Sequence, residues 1–197
     1  MKTYSQFLQD RFALLCCGST TAGVYADIGA GDPETISNTF LLQREHGWTG
    51  LLCDIEYEAR LRAERGGVVF GDALVVDWTV ELPAIARDGW IDFLSLDLEP
   101  PELTIEILLR LPLHRTRFRC ACIEHDHYRN ASGAKRVAIV NLVMEHYGYR
   151  RVWGLLAQVS ESTESIYIED WFVPVDSTVT EQDVREMIEQ HNQEPQE

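Results

Sequence analysis

Five short apolar runs constrain this chain more than anything else in it: VYADIG (24–29), GLLCDI (50–55), VVFGDA (68–73), IDFLSLDL (91–98) and FRCACIEHD (118–126). They are rich in β-branched and apolar residues, the pattern of strands buried on both faces. Between them ETISNTFLLQREHG, EYEARLRAERGG and PELTIEILLRL carry helical spacing, and the first two close on glycine, a usual helix stop. A helix is predicted near 133–147, followed by two strand-like runs, RRVWGLLAQV and SIYIEDWFV, that read as an antiparallel pair. This β-α alternation predicts an open α/β sheet with helices on both faces.

At 197 residues, 45% hydrophobic and 25% charged, the chain suits one globular domain. That domain is expected over 1–190, with a flexible tail over 191–197. An extra helical element is expected within 1–20, covering 3–17, and Thr180 with Asp183 forms a capping box for a last helix. The net charge of −15 argues against nucleic acid, whose binders neutralise phosphates with Lys and Arg. The strip Arg115, Arg117 and Arg119 reads as alternation on a strand edge. No apolar run approaches the roughly 18 residues of a membrane span, and MKTYSQFLQDRF lacks the plan of a signal peptide. Five cysteines without zinc-type spacing, including the adjacent Cys16 and Cys17 and the pair Cys120 and Cys122 on one strand face, read as thiols in a reducing cytoplasm. A homodimer is compatible with these features.

In an open α/β sheet, ligands bind at the carboxyl ends of the strands, where the first strand meets its helix. Asp27-Ile28-Gly29-Ala30-Gly31 occupies that position. Glycines admit close approach of backbone amides, although two glycines alone are a weak signal. Asp54 closes the next strand, where a carboxylate can accept both hydroxyls of a ribose, and Asp72-Ala73 closes the third, where an adenine edge can be read. Together these predict an adenosine-containing ligand. The dinucleotide fingerprint fails, because its third glycine falls on Glu34, and no GK[ST] follows the turn to make a P-loop. A carboxylate at Asp27 suits a cationic group instead, such as the ammonium of a methionine moiety. S-adenosylmethionine carries that ammonium, a ribose and an adenine without a phosphate, and fits better than NAD.

Several blocks, in order, resemble the FkbM-type S-adenosylmethionine-dependent methyltransferases. YSQFLQD (4–10) is similar to the family's SQ-x-x-QD element, and VYADIGAGDPETISNT (24–39) to its DIGA-x-DG…SNT block. GWTGLLCDIE (47–56), IDFLSLDLEPPEL (91–103), IEHDHYR (123–129) and EDWFVP (169–174) resemble the later blocks. The resemblance implies the class I methyltransferase sheet of about seven strands, mostly parallel, with the last strand antiparallel. It also implies that Asp27, Gly29, Ala30 and Gly31 line the methionine end of the cofactor, with Ser37 and Asn38 in the same block. Asp54 and Ile55 would hold the ribose, and Asp72 and Ala73 would approach the adenine. Family members are typically O-methyltransferases, so the implied acceptor is a hydroxyl on a small molecule or sugar. Two departures stand out: Pro33 and Pro100 replace usual glycines, and Gln43 replaces a frequent glutamate. Pro33 is expected at the first helical position, where proline is tolerated but removes an amide donor. These departures motivate an alternative, a non-catalytic binding protein with an impaired cofactor site. A dinucleotide-dependent oxidoreductase is a further, poorer alternative.

Methyl transfer to a hydroxyl needs a positioned acceptor and a general base. Asp97 and Glu99 alternate at the end of the fourth strand, and Glu124, His125 and His127 cluster at the end of the fifth. His125, with an ordinary pKa nearest neutrality, is a natural base candidate. Asp97, Glu99, Glu124 and His125 also offer ligands to Mg²⁺ or Mn²⁺, though no close-spaced metal motif supports that reading. Glu124 pairing with Arg129 is the bland alternative. Ser5, Gln6, Gln9 and Asp10 form a polar set that either folds over the cofactor as a lid or lies on a solvated helix face. Tryptophans are expected in the core, with stacking on adenine open to Trp78.

Overall fold

The computed structural model describes residues 2–18, 22–158 and 165–193. Among them, strands β1 Val24–Ile28, β2 Thr49–Cys53, β3 Val68–Phe70, β4 Trp90–Leu96, β5 Arg117–Glu124, β6 Tyr149–Gln158 and β7 Ser165–Pro174 form one sheet. Their order is β3-β2-β1-β4-β5-β7-β6. The neighbouring pairs among β1 to β5 are parallel, and β7 runs antiparallel to both β5 and β6. The expected seven-stranded sheet with an antiparallel last strand is therefore what forms. Helices α1 Gln9–Cys17, α2 Phe40–His46, α3 Glu58–Glu64, α4 Trp78–Ile85, α5 Pro101–Arg110, α6 Gly133–His146 and α7 Glu181–Gln193 cover it. Ile28, Leu94, Ile107, Phe118 and Val140 build the core on one face of the sheet. Phe12, Leu41, Leu61, Trp171 and Val184 build it on the other. No helix among the described residues is long and apolar enough to cross a membrane.

Several elements depart from expectation. Helix α4 was not foreseen; Asp77 caps it by accepting from the Thr79 amide at 3.1 Å, and Pro83 inside it masked the helical pattern. Helix α2 begins only at Phe40, so Pro33 is not its first residue. Helix α1 begins at Gln9, after Leu8 takes a left-handed conformation at φ 71. The tail call is corrected in part: α7 continues to Gln193, its capping box formed by Thr180 and Asp183, while 194–197 lie outside the described residues.

Two buried polar centres fix the parts that surround the sheet's carboxyl edge. At the first, Asp10 is fully buried, not solvated, and accepts from the Thr3 hydroxyl at 2.7 Å, the Tyr4 amide at 2.9 Å and the Ser5 hydroxyl at 2.9 Å. Beside it Gln9 Nε2 donates to Glu169 Oε1 at 2.9 Å, and Trp171 Nε1 donates to the same oxygen at 2.6 Å. Phe12 stacks on Trp171 with ring centroids 4.7 Å apart, which completes the seat of α1 on the sheet.

At the second, Arg65 sends a buried guanidinium into the loop after β1. It donates to the Pro33 carbonyl at 2.9 Å, the Ser37 hydroxyl at 3.1 Å and the Thr39 hydroxyl at 3.1 Å. Gln43 accepts from its Nε and returns a bond to the Arg65 carbonyl at 3.0 Å. Thr39 in turn donates to Asp27 Oδ2 at 2.6 Å. Asp27 is held above the usual carboxylate range, because burial outweighs these partners.

Removing the guanidinium leaves this loop's acceptors and Asp27 without their cation. Arg65→Met is expected to destabilise the fold by about 2–4 kcal/mol, read as a lowered urea midpoint. Burial pushes Glu169 up to about 8. The folded chain keeps a proton that the unfolded chain releases, so stability should fall as pH rises from about 5 to 8. Glu169→Gln should flatten that slope, measured as the unfolding midpoint across the same range.

Candidate functional site

The carboxyl ends of β1, β2, β4 and β5 open onto one cleft of about 510 Å³. Its floor begins with the turn after β1. Gly29 has φ +89, and a Cβ there would stand 1.5 Å from the Asp97 carbonyl oxygen, so only glycine lets the turn pass over the end of β4. Gly31, at φ +62, faces open space. The Gly29 and Ala30 amides donate to the Cys53 carbonyl at 2.8 and 3.1 Å, tying the turn to β2. Asp54 then braces it: Oδ2 accepts from the Gly31 amide at 2.9 Å, and Oδ1 accepts from the Glu56 and Tyr57 amides, each at 2.9 Å. Ile55, 71% exposed, lines the same rim.

The opposite end of the cleft is acidic. Asp97, Glu99, Glu124 and Asp126 line it, beside Tyr128 and Arg129. Among the described residues Arg129 is the one cation lining the cleft; it holds Glu99 in a two-pronged pair, with Nη1 to Oε2 at 2.6 Å, and contacts Asp126 through Nε. Asp97 and Glu124 hydrogen-bond each other through a shared proton. Burial raises both, Glu124 the further because Asp97 and Asp126 crowd it with like charge. The pair therefore holds a proton more tightly than ordinary carboxylates do. Gln6 and Phe7, in the segment before α1, line the cleft from above.

The structure brings together Gly29, Gly31, Asp54, Ile55, Asp97, Glu99 and Glu124 of the expected residues, with Ala30 inside the same turn. It does not bring the others. Asp27 is 1% exposed and spends its carboxylate on Thr39, so it offers no ammonium contact. Ser37 is fully buried against Arg65, and Asn38 donates to Ser95 Oγ at 2.9 Å; both hold the loop in place of lining the cleft. Asp72 caps the Leu74 amide at 2.8 Å and Ala73 is buried under Trp78, one strand beyond the cleft. Trp78 itself is core.

His125 is corrected outright. Successive residues of a strand face opposite ways, so Glu124 faces the cleft and His125 the α6 side. There its ring packs edge-on to Tyr167, with centroids 4.5 Å apart, and Nε2 stands 3.7 Å from Asp170 Oδ2. Burial lowers it to about 4. It is neutral, walled off and no base for the cleft. The four residues considered as metal ligands thus do not converge. Arg117 and Arg119 stack over Trp90 at 4.7 and 5.3 Å, near the amino ends of β4 and β5, away from the cleft.

Sequence reasoning missed Asp126 and Arg65. Asp126 has φ 45, and its amide and that of His125 both donate to the Ile168 carbonyl at 3.0 Å. Arg136 fixes the same bend by donating to the His125 and Asp126 carbonyls, each at 2.7 Å. IEHDHYR was visible as a block; the direction of each side chain within it was not.

No protein-family model matches the chain, and no curated protein matches it in sequence. Solved structures do align. Cofactor-bound Rv0187 from MTB aligns with a TM-score of 0.52 at 15% identity, over 89% of this chain and 83% of that one. An rRNA methylase from Streptococcus thermophilus aligns with 0.51 at 14% identity, over 89% and 99%. The magnesium protoporphyrin IX methyltransferase of Synechocystis PCC 6803 with bound SAH aligns with 0.51 at 10% identity, over 84% and 80%. At these identities the likeness establishes architecture: this chain has the Rossmann-like class I methyltransferase fold.

Proposed function

We propose that the chain is an S-adenosylmethionine-dependent methyltransferase that O-methylates a hydroxyl of a small molecule or sugar. The observation that carries the reading is the cleft's charge on this fold. Asp54, Glu56, Asp97, Glu99, Glu124 and Asp126 face a single Arg129 that is already paired. Such a site repels a pyrophosphate and suits a phosphate-free adenosyl group, which argues against the dinucleotide alternative. The aligned structures with bound cofactor or SAH support the same choice.

The residues present fit that cofactor. Gly31 presents a face with no atom within 4 Å of a would-be Cβ, and Asp54, whose oxygens already accept three backbone amides, lines the cleft at the end of β2, where the ribose would lie. With Asp27 walled off, Asp97, whose carbonyl lies against Gly29 and which lines the cleft, is the carboxylate we assign to the methionine end. When bound, the cofactor supplies an electrophilic methyl group on a sulfonium. Asp97 would take the acceptor's hydroxyl proton during that transfer. Glu124 donates its proton toward Asp97 and holds it in place. Gln6 and Phe7 exclude water from above. An acidic cleft and a net charge of −15 favour acceptors other than nucleic acid, and five thiol cysteines suit the cytoplasm.

Pro33 and Pro100, the motive for a non-catalytic reading, are both absent from the cleft lining, and Pro33 is buried beneath Arg65. Calorimetry should therefore show micromolar binding of S-adenosylmethionine and SAH, and none of NAD. Asp54→Ala should weaken SAH by about tenfold or more, while Pro33→Gly should not tighten it. No SAH binding in the native chain would overturn the assignment. Transfer should rise with pH as the Asp97–Glu124 pair, held above the ordinary carboxylate range by burial, loses its proton. Asp97→Asn should remove that dependence and about 100-fold or more of the rate.

A further inference from the structure

The acidic end of the cleft holds more negative charge than the cofactor's ammonium balances. Glu99 is matched by Arg129, and Asp54 is engaged with backbone amides. Asp97, Glu124 and Asp126 remain, with part of Arg129 between them. Asp126 is 1% exposed, yet it lines the cleft, and its Oδ1 receives no hydrogen bond from any amide, hydroxyl or guanidinium. A carboxylate oxygen buried without a donor is destabilising unless something arrives to meet it. The Glu124 carboxyl hydrogen-bonds the Asp126 side chain and Arg129 Nε meets its Oδ2, so a shared proton stands where a second cation would fit. Glu169 lies opposite Glu124 across β5 and β7, which places a further carboxyl group on that side. Phe7 and Tyr128 add aromatic faces at the same end, a surface that favours cations.

We propose that the acceptor is cationic: a hydroxylated amine, such as an amino sugar or amino alcohol, whose ammonium seats on Asp126 and Glu124. This rests on the methyltransferase reading and names the substrate class of the same site. The ammonium replaces the proton that Glu124 shares with its neighbours, which leaves to solvent, so Glu124 and Asp126 bind it as anions. Asp97 stays free to take the hydroxyl proton. Recognition of the amine thus sets specificity, and the neighbouring hydroxyl receives the methyl group.

The test uses protein saturated with SAH, so that the cofactor's own ammonium is already in place. Neamine, an aminated sugar fragment, and its fully N-acetylated derivative are titrated by calorimetry in phosphate and in Tris. Neamine should bind roughly 10- to 100-fold more tightly than the acetylated form. Its apparent enthalpy should differ between buffers, reporting release of a proton. Asp126→Asn should remove the preference while leaving SAH affinity within about twofold, which shows that the variant is folded. Equal affinities, no binding of neamine to SAH-loaded protein, or binding without proton release would each overturn the proposal and leave the cofactor reading intact. Failure to bind SAH would remove both.

Discussion

The site depends on one buried guanidinium. Arg65 leaves the end of α3, crosses to the loop after β1 and satisfies acceptors on Pro33, Ser37 and Thr39. That loop has little regular structure of its own, because α2 starts only at Phe40. Without a donor at its centre its carbonyl and hydroxyl oxygens would be buried and unpaired, a penalty of about 1–3 kcal/mol each. Held by Arg65, the loop keeps Gly29 pressed on the Asp97 carbonyl and Gly31 facing outward. The turn after β1 is held in place by the paired loop behind it.

The cleft in front of that turn follows the opposite rule. Its carboxyl groups are underpaired, and the raised positions of Asp97 and Glu124 express that deficit. A chain can tolerate such a deficit where a ligand supplies the missing cation and where few neighbours need to move. Binding and acid–base chemistry then draw on the same stored imbalance. The roof over the cleft is bound elsewhere, through Asp10 and Glu169, so Gln6 and Phe7 can meet a ligand without loosening α1.

The sheet was legible in the sequence because parallel strands buried on both faces read as unbroken apolar runs, and each found run became a strand within a few residues. The final antiparallel pair was legible for the same reason. Helix α4 was not, since Pro83 and a mostly apolar segment hide its period. Positions along strands were read correctly, but side-chain direction was not. Glu124 and His125 are neighbours at a strand end, and a single residue's step sends one to the cleft and the other behind the sheet. Likewise Asp27, Ser37 and Asn38 sit in the right segment and point into the Arg65 network. Nothing in the order of residues tells a buried bracing carboxylate from a ligand-facing one. Arg65 was invisible because its partners lie 22 to 40 positions away.

The central claim is that a phosphate-free adenosyl cofactor lies against the turn after β1 and the end of β2. Hydrogen–deuterium exchange with and without SAH reads this residue by residue. The account predicts slowed exchange at Gly29–Gly31 and at Asp54–Tyr57, with the amino edge of the sheet near Trp90 and Arg117 unchanged. Protection confined to other segments, or none at saturating SAH, would contradict it.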